Sequence, residues 1–463
     1  MPGQTSLEEK LRGEITAYLS LIFILLVTFM GAMLESASIQ TAKNYYRADM
    51  ERAVECIFAE YQKELLEEYD IFALEGSYET GSYSEDGLFR RLAYYGADSM
   101  EQNIKRIRFL TDNGCEAFCE QVAFYMKHKY GLSKAEGLLG KADLWRRQEE
   151  EAGKYGQLEA EKQEELSRLL EENEGELPDQ DNPVAHFDQL KTAPLLTLVT
   201  PGDMQVSEKS VLLSELASHR SLNKGYGDFT DVSEPSRALS DILLGEYVLE
   251  HFSAASSGKR TGALDYEIEY ILEGRASDRE NLEKVSEKLL LLRFVPNYAY
   301  IQTDSEMRAE ASGLALTLCS LLAVPAITEA VAQVILLAWA YGESILDIRT
   351  LLSGNRVPLA KTKESWQLGL SSLLTLGTAE DRSDGADTES GLKYEEYLRI
   401  LLFLEKKENV AVRSLDMIEQ NLRTREGKSW FFVDYCVSKA EFLSTCTFRR
   451  GITYRFPTYF GYR

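Results

Sequence analysis

Histidine is scarce in this chain: of 463 residues only four are His, at positions 128, 186, 219 and 251. Nucleophilic catalysis needs a Ser or Cys, a His to take its proton and a third group to orient that His. None of His128, His186, His219 or His251 lies in a nucleophile-elbow or cysteine-protease pattern, so each is read as an exposed or hydrogen-bonded side chain. HExxH pairs, EF-hand loops, P-loops and GxGxxG are also missing, and Gly225-Tyr226-Gly227 is two glycines in a loop. The chain is therefore expected to be no enzyme and to hold no cofactor or metal. Cysteine is sparse too. Six Cys, at 56, 115, 119, 319, 436 and 446, make no disulfide framework and match no zinc spacing. Cys115 and Cys119 are one helical turn apart and read as packing residues, whereas Cys436 and Cys446 read as lying on neighbouring strands and form the candidate disulfide if that region is extracellular.

Clustered cations are missing as well. With 51 Lys plus Arg against 75 Asp plus Glu, the formal charge is −24, and no basic stripe interrupts it. Nucleic acid is excluded as a partner, because phosphate binding needs clustered Lys and Arg to release counterions. The same balance argues against a polybasic hold on anionic lipid. Acid pairs are too common here to be informative. Glu267 and Glu269 share a face of a predicted strand and could raise each other's pKa, but a solvated face is the plainer reading.

Long apolar runs are few, and one stands out. Ile15–Leu34, ITAYLSLIFILLVTFMGAML, has no charge over about 20 residues, enough to cross a bilayer core as a helix. A cleaved signal peptide has a shorter apolar region and then a small-residue cleavage site, and here the A-x-A-like match, Ser36–Ser38, comes after Glu35 has ended the run. A core helix so apolar at an N-terminus is the other alternative. The uncleaved anchor is the reading adopted. Between Gly31 and Gly76 there is no Gly or Pro, and Tyr46, Met50, Ala53, Val54, Ile57, Phe58, Tyr61 and Leu65 recur at helical spacing, so one rod is expected to run on to about Tyr69. Lys10 and Arg12 precede the span while Lys43, Arg47 and Arg52 follow it, so the charge count leaves sidedness open. A short cytoplasmic head with a large exported body is the usual arrangement for such an anchor.

The expected class is α+β, mainly helical: a transmembrane helix continuing into a soluble rod, a helical body and a small antiparallel sheet. Residues 1–14 are a mixed-charge head, 15–34 the span, 35–140 a helical stalk and hairpin, 141–194 an acidic arm and linker, and 195–463 an exported body with a β-rich end. A surface loop is expected at 76–87, and Leu88–Tyr130 reads as two helices joined by the turn Thr111–Gly114. Lys141–Gln180, with 6 basic and 13 acidic residues on a thin leucine stripe, reads as a solvated helical arm or coiled-coil limb. The three prolines of 176–194 suggest a linker, LLTLVTPGD at 195–203 a strand, Ser207–Arg220 a helix and Ser233–Phe252 another. Leu264, Tyr266, Ile268 and Tyr270 alternate with acids and read as a strand, followed by a capping box at Ser277–Glu280 and a helix with Leu282, Val285, Leu289 and Leu292 on one face. Pro325 and Glu329 divide and charge Ala311–Ala340, which reads as two buried core helices, the second ending at Gly354. Trp366–Leu376 and Tyr394–Arg423 are expected helices around a mobile acidic loop at 379–390, and the aromatic stretch from Ser429 a small sheet.

The stretch from Arg12 to Leu74, RGEITAYLSLIFILLVTFMGAMLESASIQTAKNYYRADMERAVECIFAEYQKELLEEYDIFAL, resembles the TadE/TadG-like pseudopilins of tight-adherence (Tad) pilus systems. More specifically, the chain is similar to a family of large single-anchor proteins of Gram-positive type encoded with such systems, through LDYEIEYILEG, NLEKVSEKLLLLR, LLAWAYGESILDIRTLLSGNRVPLAKTKESW and EEYLRILLFL. The resemblance implies a cytoplasmic head, one transmembrane helix, an exported body, and a role in assembling or decorating a pilus or secretion machine. Its expected partners are the lipid bilayer and other subunits, with self-association through helices. In pilin-like proteins a peptidase cuts after a Gly that follows basic residues, and a Glu at the fifth position beyond registers subunits. Arg12-Gly13-Glu14 matches the first feature, but the fifth residue on is Tyr18, and neither Glu14 nor Glu35 replaces that Glu. An uncut accessory protein fits this departure. The alternative is a tethered adhesion module that binds glycan or host protein through the aromatic C-terminal sheet.

Overall fold

The computed structural model describes residues 5–173, 175–178, 182–229, 237–257, 262–320 and 324–462. The fold is α+β and mainly helical. In chain order the elements are α1 (Thr5–Phe58), α2 (Lys63–Tyr69), β1 (Leu74–Glu75), α3 (Glu85–Leu92), β2 (Glu101–Phe109), α4 (Asp112–Glu172), α5 (Pro183–Thr192) and α6 (Leu195–Val199). Then come α7 (Arg237–His251), α8 (Glu267–Glu273), α9 (Asp278–Thr303), α10 (Ser305–Leu318), α11 (Pro325–Leu352), α12 (Leu370–Leu373), α13 (Tyr394–Leu404), α14 (Lys407–Thr424), β3 (Cys436–Thr447) and β4 (Thr453–Gly461).

The sheet is antiparallel, with β3 at its centre. On one side β2 pairs with it from Glu101 opposite Thr445 to Phe109 opposite Val437. On the other lie β4, from Thr453 opposite Thr447 to Gly461 opposite Lys439, and the short β1 beside Val437 and Cys436. Met50, Ala53, Val54, Ile57 and Phe58 of α1 pack with Ile104, Ile107, Phe109, Val437, Ala440, Phe442 and Phe456 in one core. A second core, centred on α11, gathers Tyr69, Phe118, Trp145 and Phe187 together with residues of α6 to α14.

Several expectations are corrected, each for a local reason. The rod ends at Phe58 rather than near Tyr69, because Tyr61 bridges to Leu74 and the Tyr462 hydroxyl donates to the Phe58 carbonyl, occupying one of the acceptors a helix end leaves open. Residues 101–109 form a strand, not a helix. An irregularity between Ile104 and Arg106 adds a residue, so Ile104 and Ile107, three apart, face the same side and imitate a helical period. The expected linker at 176–194 contains α5, where Pro183 takes the first helical position and Asn182 caps the Val184 amide at 3.0 Å. The expected strand at 195–203 is helix α6, since a short apolar run has no periodicity that separates buried strand from buried helix. Ser207–Arg220 holds only one helical turn, at Leu213–Glu215, and Trp366–Leu376 only α12.

The predicted strand at 264–270 is a loop entering α8, with Glu267 and Glu269 buried rather than solvated. The arm is helical but not free: Trp145 is buried against Phe403 at 5.5 Å, Leu166 is buried, and Glu159 pairs with Lys191 at 2.5 Å. The acidic loop at 379–390 is irregular and pinned by Arg349–Asp381 at 2.9 Å and Arg356–Asp387 at 2.5 Å. Cys436 and Cys446 lie on the same strand, β3, ten residues or about 33 Å apart, so they cannot bridge, and both are free thiols. Residues 1–4 of the head and 233–236 of the expected helix fall outside the described residues. Other expectations hold. Ser277 caps α9 through the Glu280 amide at 3.3 Å, Leu282, Val285, Leu289 and Leu292 are buried, Pro325 opens α11, and Gly354 follows it with a φ of 84°.

Within the α11 core lies a fully buried ionic network. Arg293 Nε donates to Asp347 at 3.0 Å, and its other nitrogens reach the Leu359 carbonyl, the Tyr397 hydroxyl and Asn297. Lys361 donates to Glu343 at 2.5 Å and to Asp347 at 2.7 Å, while Glu343 accepts the Leu368 amide at 2.7 Å. Two cations thus meet two carboxylates, and every charge has further hydrogen bonds. Burial favours a neutral Asp347, but Arg293 and Lys361 outweigh it and hold the carboxyl below its ordinary range. The network ties the segment 355–368 to α9 and α11. Asp347→Ala should destabilise the body by about 3–5 kcal/mol, because it leaves two buried cations undercompensated, whereas Arg356→Ala, at the exposed Arg356–Asp387 pair, should cost far less. Urea unfolding of the two variants beside the parent measures the contrast.

Candidate functional site

Among the described residues two helices are long and apolar enough to cross a membrane, and burial separates them. The apolar window of α11 is 89% buried inside the body and carries the network acids Glu343 and Asp347, so it is a core helix. None of the apolar window of α1 is buried. Along Ile15–Leu34 large apolar side chains stand bare, including Phe23, Ile24, Phe29 and Leu34 at 67%, 60%, 62% and 73% exposure. Twenty residues at 1.5 Å rise make about 30 Å, the thickness of a hydrocarbon core. Two hydroxyls on this stretch are satisfied within the helix, as a lipid surrounding favours: Ser20 donates to the Ala17 carbonyl at 2.9 Å and Thr28 to those of Ile24 and Leu25 at 2.9 Å. The N-terminal half of α1 is the candidate membrane anchor.

The other half of the same helix is a core element. Its apolar residues at i, i+3, i+4 and i+7 (Met50, Ala53, Val54, Ile57) form the buried stripe, and the rings of the C-terminal strand dock along it. Tyr46 meets Phe448 at 5.8 Å, Phe58 stacks on Phe460 at 4.4 Å, and Tyr462 packs edge-on to Phe58 at 5.4 Å. Lys43 lies 4.7 Å above the Tyr454 ring, and Arg47 5.5 Å from that ring and 5.8 Å from Phe456. Strand β4 therefore runs parallel to α1, with its start at Lys43–Arg47 and its end at Phe58.

The residues singled out in the sequence are scattered. Arg12 and Gly13 are part of the α1 backbone with side chains outside the described residues, and Glu14 is exposed beside the span. His128 Nδ1 sits 2.8 Å from its own helix's Phe124 carbonyl, and buried His186 Nε2 3.0 Å from the Leu376 carbonyl. His219 contacts the Ser218 hydroxyl at 2.8 Å, but the neighbouring acid, Asp416, accepts the Ser218 amide rather than orienting the imidazole. His251 stacks on Tyr247 and reaches Asp70 at 3.1 Å. No two of these imidazoles share a site, and among the described residues no three His, Cys, Asp or Glu are placed to hold a metal.

Sequence reasoning missed the buried acids of the body. Glu267 accepts the Ser253 amide and hydroxyl, each at 2.9 Å, and the Asn421 side chain. Glu269 accepts the Ala255 amide at 2.8 Å and the Tyr394 hydroxyl at 2.9 Å, while its Oε2 has no hydrogen-bond partner among the described residues. Asp278 accepts the Asp265 and Tyr266 amides, and Arg220 forks onto Glu419 at 2.7 and 2.8 Å and reaches Asp434. These carboxylates act as buried acceptors for loop backbone. The signal was their position among apolar neighbours, as in Tyr266–Leu272, where a solvated reading needs a wet face that the body does not leave.

Among the described residues, one exposed candidate span, in α1, leads into an α+β body. Residues 173–448 match a family of unknown function (DUF5702), and the chain belongs to that family. The match runs from α5 to the end of β3, and so includes the ionic network and the central strand but not α1, β2 or β4. No curated protein and no solved structure matches the chain.

Burial pushes the Glu269 carboxyl up from its ordinary 4.5 to about 7, and burial likewise raises Asp278, Asp416 and Glu419. For Glu269 the folded state thus holds its proton where the unfolded chain has lost it, so stability falls as pH rises from about 4.5 to about 7. A slope of at most about 1.4 kcal/mol per pH unit is expected from this one group. Glu269→Gln, which keeps an acceptor for Ala255 and Tyr394, should flatten that part of the stability profile, as measured by urea unfolding at a series of pH values.

Proposed function

We propose that this chain is a membrane-anchored, non-enzymatic accessory or minor-pseudopilin-like subunit of a Tad/type IV-like pilus or secretion apparatus. Its body lies outside the cytoplasm and acts by protein–protein contacts. The observation that carries the reading is α1 itself: one unbroken helix of 54 residues, about 81 Å long, is bare and apolar from Ile15 to Leu34 and buried in the body's sheet core from Met50 on. A helix used in this way transmits position from bilayer to body without a flexible joint, which suits a fitting in an assembled machine. The resemblance of Arg12–Leu74 to TadE/TadG-like pseudopilins gives the machine, and Tyr18 at the fifth position after Gly13 supports a permanently anchored rather than filament-core subunit.

Glycan or host-protein adhesion through the aromatic tail is the weaker reading. It needs ring faces on the surface, yet Phe448, Phe456, Phe460 and Tyr462 pack onto α1 and its neighbours.

In cells expressing the pilus apparatus, the full chain should stay in the membrane through carbonate washing. Its body should be cut by protease added to whole cells and protected in inverted vesicles, and gentle extraction should bring down apparatus subunits with it. Intact chain in the carbonate supernatant would overturn the anchor; the chain recovered alone would overturn the assembly role.

A further inference from the structure

Four cations, Lys43, Arg47, Arg449 and Arg455, stand at the end of the body nearest the span, a grouping that the net charge of −24 conceals. Since β4 runs parallel to α1, the β3–β4 turn, Phe448–Ile452, projects back toward the N-terminal, apolar half of the helix. The two scales agree. From Tyr454 to Phe460 is about 20 Å of strand, and from Tyr45 to Phe58 about 20 Å of helix. Leu34 to Lys43 is about 13 Å along the axis, and the headgroup layer adds about 5–7 Å beyond the hydrocarbon. The turn extends past Tyr454 into the gap between them, and the ordinary tilt of a spanning helix, about 20°, lowers one side of the body further.

Arg449 and Arg455 are exposed at this end, on the turn and at the start of β4. Lys43 and Arg47 lie on α1 over the rings of Tyr454 and Phe456, at the same end of the body, while Arg455, between those two rings in the strand, projects from the opposite face of the sheet. None of the four forms an ion pair with an acid among the described residues. Of the acids at this end, Asp49 is paired with Arg52 at 2.9 Å, Glu35 stands on α1 between the span and Lys43, and Glu101 heads β2 opposite Thr445, the residue that also pairs with Arg455. Exposed Ile452, at 42%, supplies an apolar side chain at the tip. Chain segments about 400 residues apart in sequence build the cluster, so no linear basic stripe announces it.

We propose that this turn and the adjoining face of α1 form a second membrane contact, in which Lys43, Arg47, Arg449 and Arg455 bind anionic phospholipid headgroups of the leaflet that α1 leaves. The proposal rests on the anchor reading. Tethering by α1 holds the cations within reach of the headgroups, so modest attraction suffices. The contact would fix the tilt and rotation of the body on the bilayer, which a single spanning helix leaves free.

The test places the full chain in vesicles of phosphatidylcholine alone or with added phosphatidylglycerol, and follows amide hydrogen exchange of the peptide covering 447–455. Near an anionic surface each Lys or Arg is worth a factor of about five, so exchange should slow by about fivefold or more with phosphatidylglycerol present. The slowing should vanish at high salt and in the double variant Arg449→Glu, Arg455→Glu, whose side chains are exposed and whose 436–443 peptides should exchange as in the parent. Equal exchange of 447–455 in both kinds of vesicle, with the chain embedded in each, would overturn the lipid contact and leave the anchor standing. Failure of the chain to enter either vesicle would overturn the anchor reading itself.

Discussion

The packing of Met50–Phe58 against the C-terminal strand pair is the contact on which the architecture depends. It brings together the first and last elements of the chain, and the Tyr462 hydroxyl on the Phe58 carbonyl closes the loop at the end of the helix. Closing so long a loop costs chain entropy that grows only logarithmically with length. Burial of large apolar side chains contributes about 1.5–3 kcal/mol each, and Val54, Ile57, Phe58, Phe442 and Phe456 are all buried here. The consequence is mechanical. The apolar half of α1 is continuous with a helix that the body cannot release without losing its sheet core.

Around this joint the body manages an unusual load of acid. Many carboxylates stay in water, but Glu267, Glu269, Asp278, Glu343, Asp347, Asp416 and Glu419 are buried. Their neutralisation takes two forms. Asp347 and Glu343 meet Arg293 and Lys361, whereas Glu267, Glu269 and Asp278 lie against backbone amides and hydroxyls and form no ion pair among the described residues. Such groups add little net stability but tolerate few alternative packings, since any shift strands a buried charge or amide. They also decide the fate of α11. An apolar helix of 28 residues could pass for a span, and the paired acids on its inner face hold it in protein.

Much of this was legible beforehand. The exposed apolar helix, the Pro325 break, the Ser277 cap, the four buried leucine and valine positions of α9 and the C-terminal sheet follow from period, cap and breaker signals that act within a few residues. Where the reading failed, a distant partner had overridden the local signal. Ile104 and Ile107 looked helical because a bulge against β3 restores their common face. The Glu267–Glu269 alternation looked like a wet strand because nothing local says that Ser253, Ala255 and Tyr394 will surround those acids. Cys436 and Cys446 looked like neighbours because the turn between strands was placed before Cys446 rather than after Thr447.

By itself, then, the sequence determined that a charge-free segment of bilayer length leads an acidic, mainly helical chain without an HExxH, EF-hand, P-loop or GxGxxG motif. These are properties of short windows and of composition, and they survive any tertiary arrangement. Only the tertiary structure decided that the rod stops at Phe58, that the arm lies down on the body, that the acids of α8 are buried and that Lys43, Arg47, Arg449 and Arg455 gather at one end. Each of those outcomes depends on contacts between residues far apart in the chain, whose free energy no local window contains.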